Sequence, residues 1–268
     1  MKLLANIGTA EDAEKAAKVD LEGSGLFRSE FLFLDRDAAP SLEEQTATYT
    51  EVLQAFGNRR VVVRTLDAGA DKPLSFANLG EEENPALGRR GLRLSQARED
   101  LLDTQLQALA AAHRNVPGSE LWVMAPMVAT VEEAEWFAER ARAAGLKQVG
   151  IMVETPAAAI RATHLLEQVD FASIGTNDLS QYTMAADRME GELVDHGNRR
   201  RHPLCSMEVH HAFHLVPAGW RPDAHSATHH RLVIRFRRRC LRASAEVVHD
   251  AGGAAPAPCY ASAAGDSA

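Results

Sequence analysis

Short apolar runs alternate with longer amphipathic stretches over the first two-thirds of the chain. The runs are Leu3–Ile7, Gly25–Arg28, Val61–Thr65, Leu121–Ala125, Val149–Val153 and Phe171–Ile174. Short, uninterrupted runs of this kind fit strands covered on both faces, as in a parallel sheet. Helix signals lie between them. Thr130 and Glu133 read as a capping box, in which a hydroxyl satisfies one free amide and a carboxylate another. Ala134, Phe137, Ala138 and Ala141 then recur at helical spacing, and Gly145 offers a left-handed stop. Thr155 precedes Pro156, a residue suited to the first helical position. Leu101, Leu102, Leu106 and Leu109 mark another apolar helix face. Strand–helix alternation over this length predicts a (β/α) barrel or an open doubly wound sheet. Charged residues at many strand ends favour the barrel, whose site draws on several strands.

Six strands are predicted before residue 180, whereas a full (β/α)8 barrel needs eight. The expected fold class is therefore α/β, a TIM-type (β/α)8 barrel that is incomplete, with about six βα units over residues 1–195. Residues 196–268 are expected to form a basic, His-rich, irregular tail. Within it, the segment from Arg231 to Cys240 has one strand-like core, and Gly252 to Ala268 is rich in Ala, Pro, Gly and Ser and is expected to be disordered.

Composition sharpens that division. The 268 residues are 46% hydrophobic, enough for one large core. Residues 1–195 hold every lysine and 32 of the 37 acidic residues, while residues 196–268 hold 9 of the 11 histidines. This break motivates the hypothesis of a shifted reading frame or a truncated gene. Reading the encoding DNA in its other two frames tests it, because neither frame yielding a Gly-rich strand with a Cys would end the idea. The rival is a genuine basic, His-rich tail that binds metal or an acidic partner, although its histidines keep no short fixed ligand pattern beyond His210, His211 and His214. A net charge of −8 argues against general nucleic-acid binding. No signal peptide or membrane-length apolar run is present, and three cysteines without metal-like spacing suit a reduced, cytoplasmic setting.

The candidate chemistry sits at strand ends. Glu154 follows Val149–Val153, and Asp178 follows Phe171–Ile174. Helix capping accounts for either carboxylate alone. Both together, beside Asn177, suit a hard divalent cation such as Mg²⁺. Arg28, Arg64, Arg89, Arg90 and Arg188 are donors for an anionic ligand, because a guanidinium fork matches phosphate and carboxylate. Solvated surface charge is the plain alternative for any one of them. It suits Arg64 least, since that residue directly follows three valines.

Five segments then resemble one family. They are Gly25–Asp37 (GLFRSEFLFLDRD), Val63–Lys72 (VRTLDAGADK), Glu83–Gly88 (ENPALG), Met152–Ala159 (MVETPAAA) and Ser173–Thr183 (SIGTNDLSQYT). In this order they resemble the phosphoenolpyruvate-binding barrel of enzyme I, the phosphoenolpyruvate–protein phosphotransferase of the sugar phosphotransferase system, from about residue 3 to about residue 194. The resemblance implies that Glu154 and Asp178 hold Mg²⁺. It implies that Arg28, Arg64, Arg90 and Arg188, with Asn177 and Asp178, surround phosphoenolpyruvate, and that Asp67 and Lys72 support them. Arg89 stands where the family often carries an aromatic residue.

The implied reaction passes phosphoryl to a protein histidine and then to a small phosphocarrier protein, in a homodimer. Two parts of that machinery are expected to be missing. The histidine domain has no counterpart here, and neither His113 nor His164 resembles the phosphohistidine motif. The family's proton-donor cysteine is also absent, since Cys205, Cys240 and Cys259 lack its Gly-rich context. A non-catalytic remnant or dimerisation module is thus an alternative, with exposed edges on the first and sixth strands. A fragment of a dikinase or phosphoenolpyruvate synthase is another.

Overall fold

The computed structural model describes residues 3–69, 74–77, 80, 82–187, 190, 231–237 and 240–250, the last two stretches by their backbone. The predicted tail segments 196–230 and 251–268 lie outside the described residues, as do Lys72, Arg188, Cys205 and Cys259.

Six parallel strands appear where the apolar runs predict them: β1 (Leu3–Ile7), β2 (Gly23–Arg28), β3 (Arg60–Arg64), β4 (Glu120–Ala125), β5 (Val149–Val153) and β6 (Phe171–Ile174). Helices alternate with them. They are α1 (Ala10–Ala17), α2 (Leu42–Phe56), α3 (Leu92–Ala97), α4 (Glu99–Asn115), α5 (Val131–Ala143), α6 (Pro156–Ile160), α7 (Ala162–Leu166) and α8 (Thr176–Met184). The capping box at α5 is present: the Thr130 hydroxyl accepts from the Glu133 amide at 3.2 Å, and Glu133 accepts from the Thr130 amide at 3.1 Å. Thr155 caps α6 ahead of Pro156, as expected. Ser41 and Thr9 form further capping boxes at α2 and α1.

Each strand is paired in sequence order, β1 to β6, with parallel neighbours. Two more strands fill the remaining arc, β7 (Arg231–Arg237) and β8 (Cys240–Asp250). β7 runs antiparallel to both β6 and β8, and β8 runs parallel to β1, with Leu3 opposite Val247 and Asn6 opposite Asp250. The first and sixth strands therefore have backbone partners where open edges were expected. The regular βα pattern nevertheless stops at α8, because no helix among the described residues separates β7 from β8. The α/β class with six βα units stands, and the closing pair departs from the all-parallel rule of a complete barrel.

Strand periodicity divides the core in two. Leu4, Leu26, Val62, Trp122, Met124, Met152 and Phe171 cluster inside the barrel. The alternate positions, such as Ile7, Phe27, Val61, Val63, Val123, Ile151 and Ile174, pack with Phe56, Leu106, Leu109, Phe137 and Leu165 of the surrounding helices. All four leucines of the predicted α4 face are buried. Trp122 and Phe171 pack with ring centroids 4.7 Å apart. At the starts of the strands, the Arg60 guanidinium lies 3.9 Å from the Trp122 ring centroid and bonds Glu120 at 3.2 Å, closing that end.

Gly150 makes room for this interior, since a β-carbon there would sit 2.5 Å from the Phe171 ring. Phe171 cannot yield easily, because the Trp122 ring is packed against it at a tilt of 47°. Gly150→Ala should therefore destabilise the fold by about 1–3 kcal/mol through overpacking. The melting temperature should fall by several degrees, measured by circular dichroism; an unchanged melt would show that the ring has room to move.

Candidate functional site

The rule that segregates the core also builds the site. Along each strand, every second side chain points inward. Continuing the inward rows toward the strand ends leads from Leu4 to Asn6, from Leu26 to Arg28, from Val62 to Arg64 and from Met152 to Glu154. The apolar interior thus gives way to a polar layer at the carboxyl ends of the strands. That is the end where barrel sites form.

Arg64 lies at the centre of this layer and is 3% exposed. One terminal nitrogen bonds Glu30 Oε1 at 2.7 Å, and the other reaches Asp67 Oδ2 at 2.7 Å. Burial acts to lower its pKa, but Asp67, Glu30 and Glu154 outweigh burial and raise it. The guanidinium therefore keeps its charge at any ordinary pH.

Arg90 is likewise buried, and it spans two elements. It lies 3.6 Å from Asp67 Oδ1 and 3.2 Å from Asp178 Oδ1, and it donates to the Tyr182 hydroxyl at 3.3 Å. Burial lowers its pKa, while Asp67 and Asp178 raise it further than burial can lower it. Glu154 also acts on both arginines electrostatically. Arg28 is half-buried beside Arg64 across the β2–β3 pairing, with its guanidinium 5.0 Å from the Phe31 ring centroid. The Nε donors of Arg28, Arg64 and Arg90 are all buried and make no hydrogen bond.

Glu154 is fully buried just past β5, and its Oε1 accepts from the Met127 amide at 2.7 Å. Met127 follows β4 with φ of 55°, a left-handed conformation that costs a non-glycine residue energy. That twist presents its amide to the carboxylate. Gly175 follows β6, and a β-carbon there would lie 2.5 Å from Glu154 Oε2, so only glycine fits beside this side chain. Asp178 is 4% exposed in the first turn of α8. Asn177 precedes it and is half-buried.

The structure thus brings Arg64, Arg90, Glu154 and Asp178 into one electrostatic cluster, with Arg28 and Asn177 on elements that end at the same rim. Arg188 lies outside the described residues. Arg89 is exposed and pairs loosely with Glu82 at 3.9 Å. Sequence reasoning missed Glu30 and Tyr182, although both stand inside motifs it quoted. Their signals were a carboxylate two positions after Arg28 and a tyrosine one helical turn after Asp178. It also missed Gln105, fully buried in α4, whose side chain bonds the Leu66 amide at 2.9 Å, the Ser29 hydroxyl at 3.0 Å and the Tyr49 hydroxyl at 2.9 Å. Ser29 in turn donates to the Arg64 carbonyl at 2.6 Å, so this network fixes the backbone on either side of Thr65.

Comparisons with known proteins show the family of this chain. Residues 1–216 match the family described as PEP-utilising enzyme, PEP-binding domain. A phosphoenolpyruvate-protein phosphotransferase of Streptomyces coelicolor is 56% identical over 193 residues, covering 71% of this chain and 34% of the relative. One from Staphylococcus aureus is 48% identical over 204 residues, covering 70% of this chain and 34% of the relative. One from Haloferax volcanii is 46% identical over 213 residues, covering 75% and 38%. The chain spans a little over a third of the length of these curated relatives.

Proposed function

The chain belongs to the PEP-utilising enzymes through their PEP-binding domain, and we propose that it binds phosphoenolpyruvate with Mg²⁺ as the barrel of a phosphoenolpyruvate–protein phosphotransferase. The observation that carries this reading is the set of three guanidinium groups, Arg28, Arg64 and Arg90, each with an unused buried donor, of which Arg64 and Arg90 are held against buried carboxylates. Arg28, Arg64, Arg90 and Arg188, with Asn177, grip the phosphate and carboxylate of the substrate. Glu30 and Asp67 hold Arg64 rigid, so its fork does not have to reorganise when the ligand arrives.

The residues present also fit a magnesium ion. Glu30, Asp67, Glu154 and Asp178 supply four formal negative charges against three from Arg28, Arg64 and Arg90. An anionic ester adds more negative charge to that balance. No group of three or more metal-ligating His, Cys, Asp or Glu side chains exists among the described residues. Magnesium needs no such cage, because one or two carboxylates plus substrate phosphate suffice. Glu154 and Asp178 are the carboxylates for that task. The ion, when bound, would stabilise the negative charge that grows on the enol oxygen as phosphoryl leaves.

The transferred group moves from the enol oxygen to a histidine nitrogen outside this cluster. The resulting enolate must then be protonated on carbon to give pyruvate. His113 bonds Ser119 at 2.9 Å ahead of β4, at the opposite end of the barrel, and His164 is exposed on α7. Neither is placed to accept phosphoryl. Among the described side chains no histidine therefore stands ready to accept phosphoryl, which supports a second reading, binding or dimerisation without turnover by this chain alone. In the full reading, phosphoryl passes on to a small phosphocarrier in cytoplasmic sugar uptake by a homodimeric enzyme. No helix among the described residues is long and apolar enough to cross a membrane.

Isothermal calorimetry of the 268-residue chain tests the proposal. Phosphoenolpyruvate should bind in the presence of Mg²⁺ and lose most of its affinity when the ion is chelated. A folded sample that gives no heat at millimolar ligand would end the assignment.

A further inference from the structure

We infer that Tyr182 is a positioning residue that clasps the Asn84–Gly91 loop to α8 and sets the Arg90 guanidinium against Asp178. The inference rests on the phosphoenolpyruvate-binding reading for its ligand, but its geometric part stands without it.

Arg90 is carried by a loop, and a loop alone is a poor platform for a buried cation. Much of the loop's bonding is local. The Leu87 amide bonds the Asn84 carbonyl at 2.9 Å, the Gly88 amide bonds the Pro85 carbonyl at 3.2 Å, and Arg93 holds the Leu87 carbonyl at 3.0 Å. The Gly91 amide reaches the Ala68 carbonyl at 3.0 Å. Asp178 comes from the far side of the barrel, 88 residues later in the chain. The two elements need a tie.

The Tyr182 hydroxyl supplies it with both of its capacities. It donates its proton to the Ala86 carbonyl in the loop. It accepts from the Arg90 nitrogen that also bonds Asp178. Asp178 and Tyr182 are four residues apart on α8, so they share a helix face and meet Arg90 together. A hydroxyl that donates to one group and accepts from another fixes their relative position. Phenylalanine could fill the same space but could do neither.

The test compares the full chain with Tyr182→Phe, Arg90→Gln and the double variant. Calorimetry in Mg²⁺ should show phosphoenolpyruvate binding about tenfold weaker in Tyr182→Phe, the size expected for losing one hydrogen bond to a charged group. The same tyrosine change made in Arg90→Gln should cause no further loss, because Tyr182 acts through Arg90. Fully additive losses, or unchanged affinity in Tyr182→Phe, would overturn the inference.

Hydrogen exchange without ligand gives a second readout. The Leu87 and Gly88 amides should lose protection in Tyr182→Phe, while the amides of β4 keep theirs. Equal protection in both proteins would also overturn it. If the unmodified chain binds no phosphoenolpyruvate, the functional reading falls, and the exchange result still decides whether Tyr182 holds the loop.

Discussion

Arg64→Met should lower the unfolding free energy by about 3–5 kcal/mol and remove measurable phosphoenolpyruvate binding. The physical reason is asymmetry in buried ion pairs. A paired buried charge is tolerable, whereas removing one partner leaves the others without compensation. Here one guanidinium serves two carboxylates at 2.7 Å, and all three side chains are almost wholly buried. Methionine fills much of the volume, so the loss reports charge rather than cavity. Arg64→Lys separates the two effects. Lysine keeps the charge but is a point donor on a flexible stem, so it cannot hold both carboxylates with the geometry of the fork. It should recover part of the stability and little of the binding. Urea denaturation and calorimetry on the same samples measure both. Unchanged stability in Arg64→Met would contradict the buried network, and intact binding would remove Arg64 from the ligand site.

Glu154→Gln should leave the fold standing and abolish the magnesium dependence of binding. Glutamine is nearly isosteric, and its carbonyl oxygen can still accept from the Met127 amide that now bonds Glu154 at 2.7 Å. What disappears is the negative charge. Affinity in Mg²⁺ should fall by at least about 100-fold, since even supporting groups around a metal site cost 10–100-fold. Without Mg²⁺ the sign should reverse. A buried carboxylate repels an anionic ligand, so the variant should then bind phosphoenolpyruvate as well as the unmodified chain or better. That crossing separates a metal ligand from a structural carboxylate, whose loss would weaken binding alike with and without the ion. Parallel loss in both buffers would assign Glu154 to structure.

Much of the barrel was legible because its signals are local. Short, mostly apolar runs marked β1 to β6 to within two residues at either end, because strands covered on both faces have no wet side to encode. Thr130 with Glu133, and Thr155 with Pro156, marked helix starts through bonds closed within four residues. Within the buried polar cluster, Arg64 and Glu154 were legible as candidates from their place at or just after the ends of apolar runs. Glu30, Gln105 and Tyr182 were not, because a polar residue inside a motif looks alike whether it faces water or a partner far along the chain. Gln105 owes its meaning to Ser29, 76 residues away, and Tyr182 to Ala86, 96 residues away. β8 was missed as well. Its pairing with β1 joins Leu3 to Val247 across nearly the whole chain, and local composition carries no trace of that.

The amino-acid order alone settled the alternation of strands and helices and the family motifs, since each depends on neighbours a few positions apart. Closure of the ring by an antiparallel pair, the sharing of Arg64 and Arg90 among buried carboxylates, and the hydroxyl that joins loop to helix were decided only in three dimensions. Charge burial and strand pairing are properties of distant partners, and their energies exist only once the chain has brought those partners together.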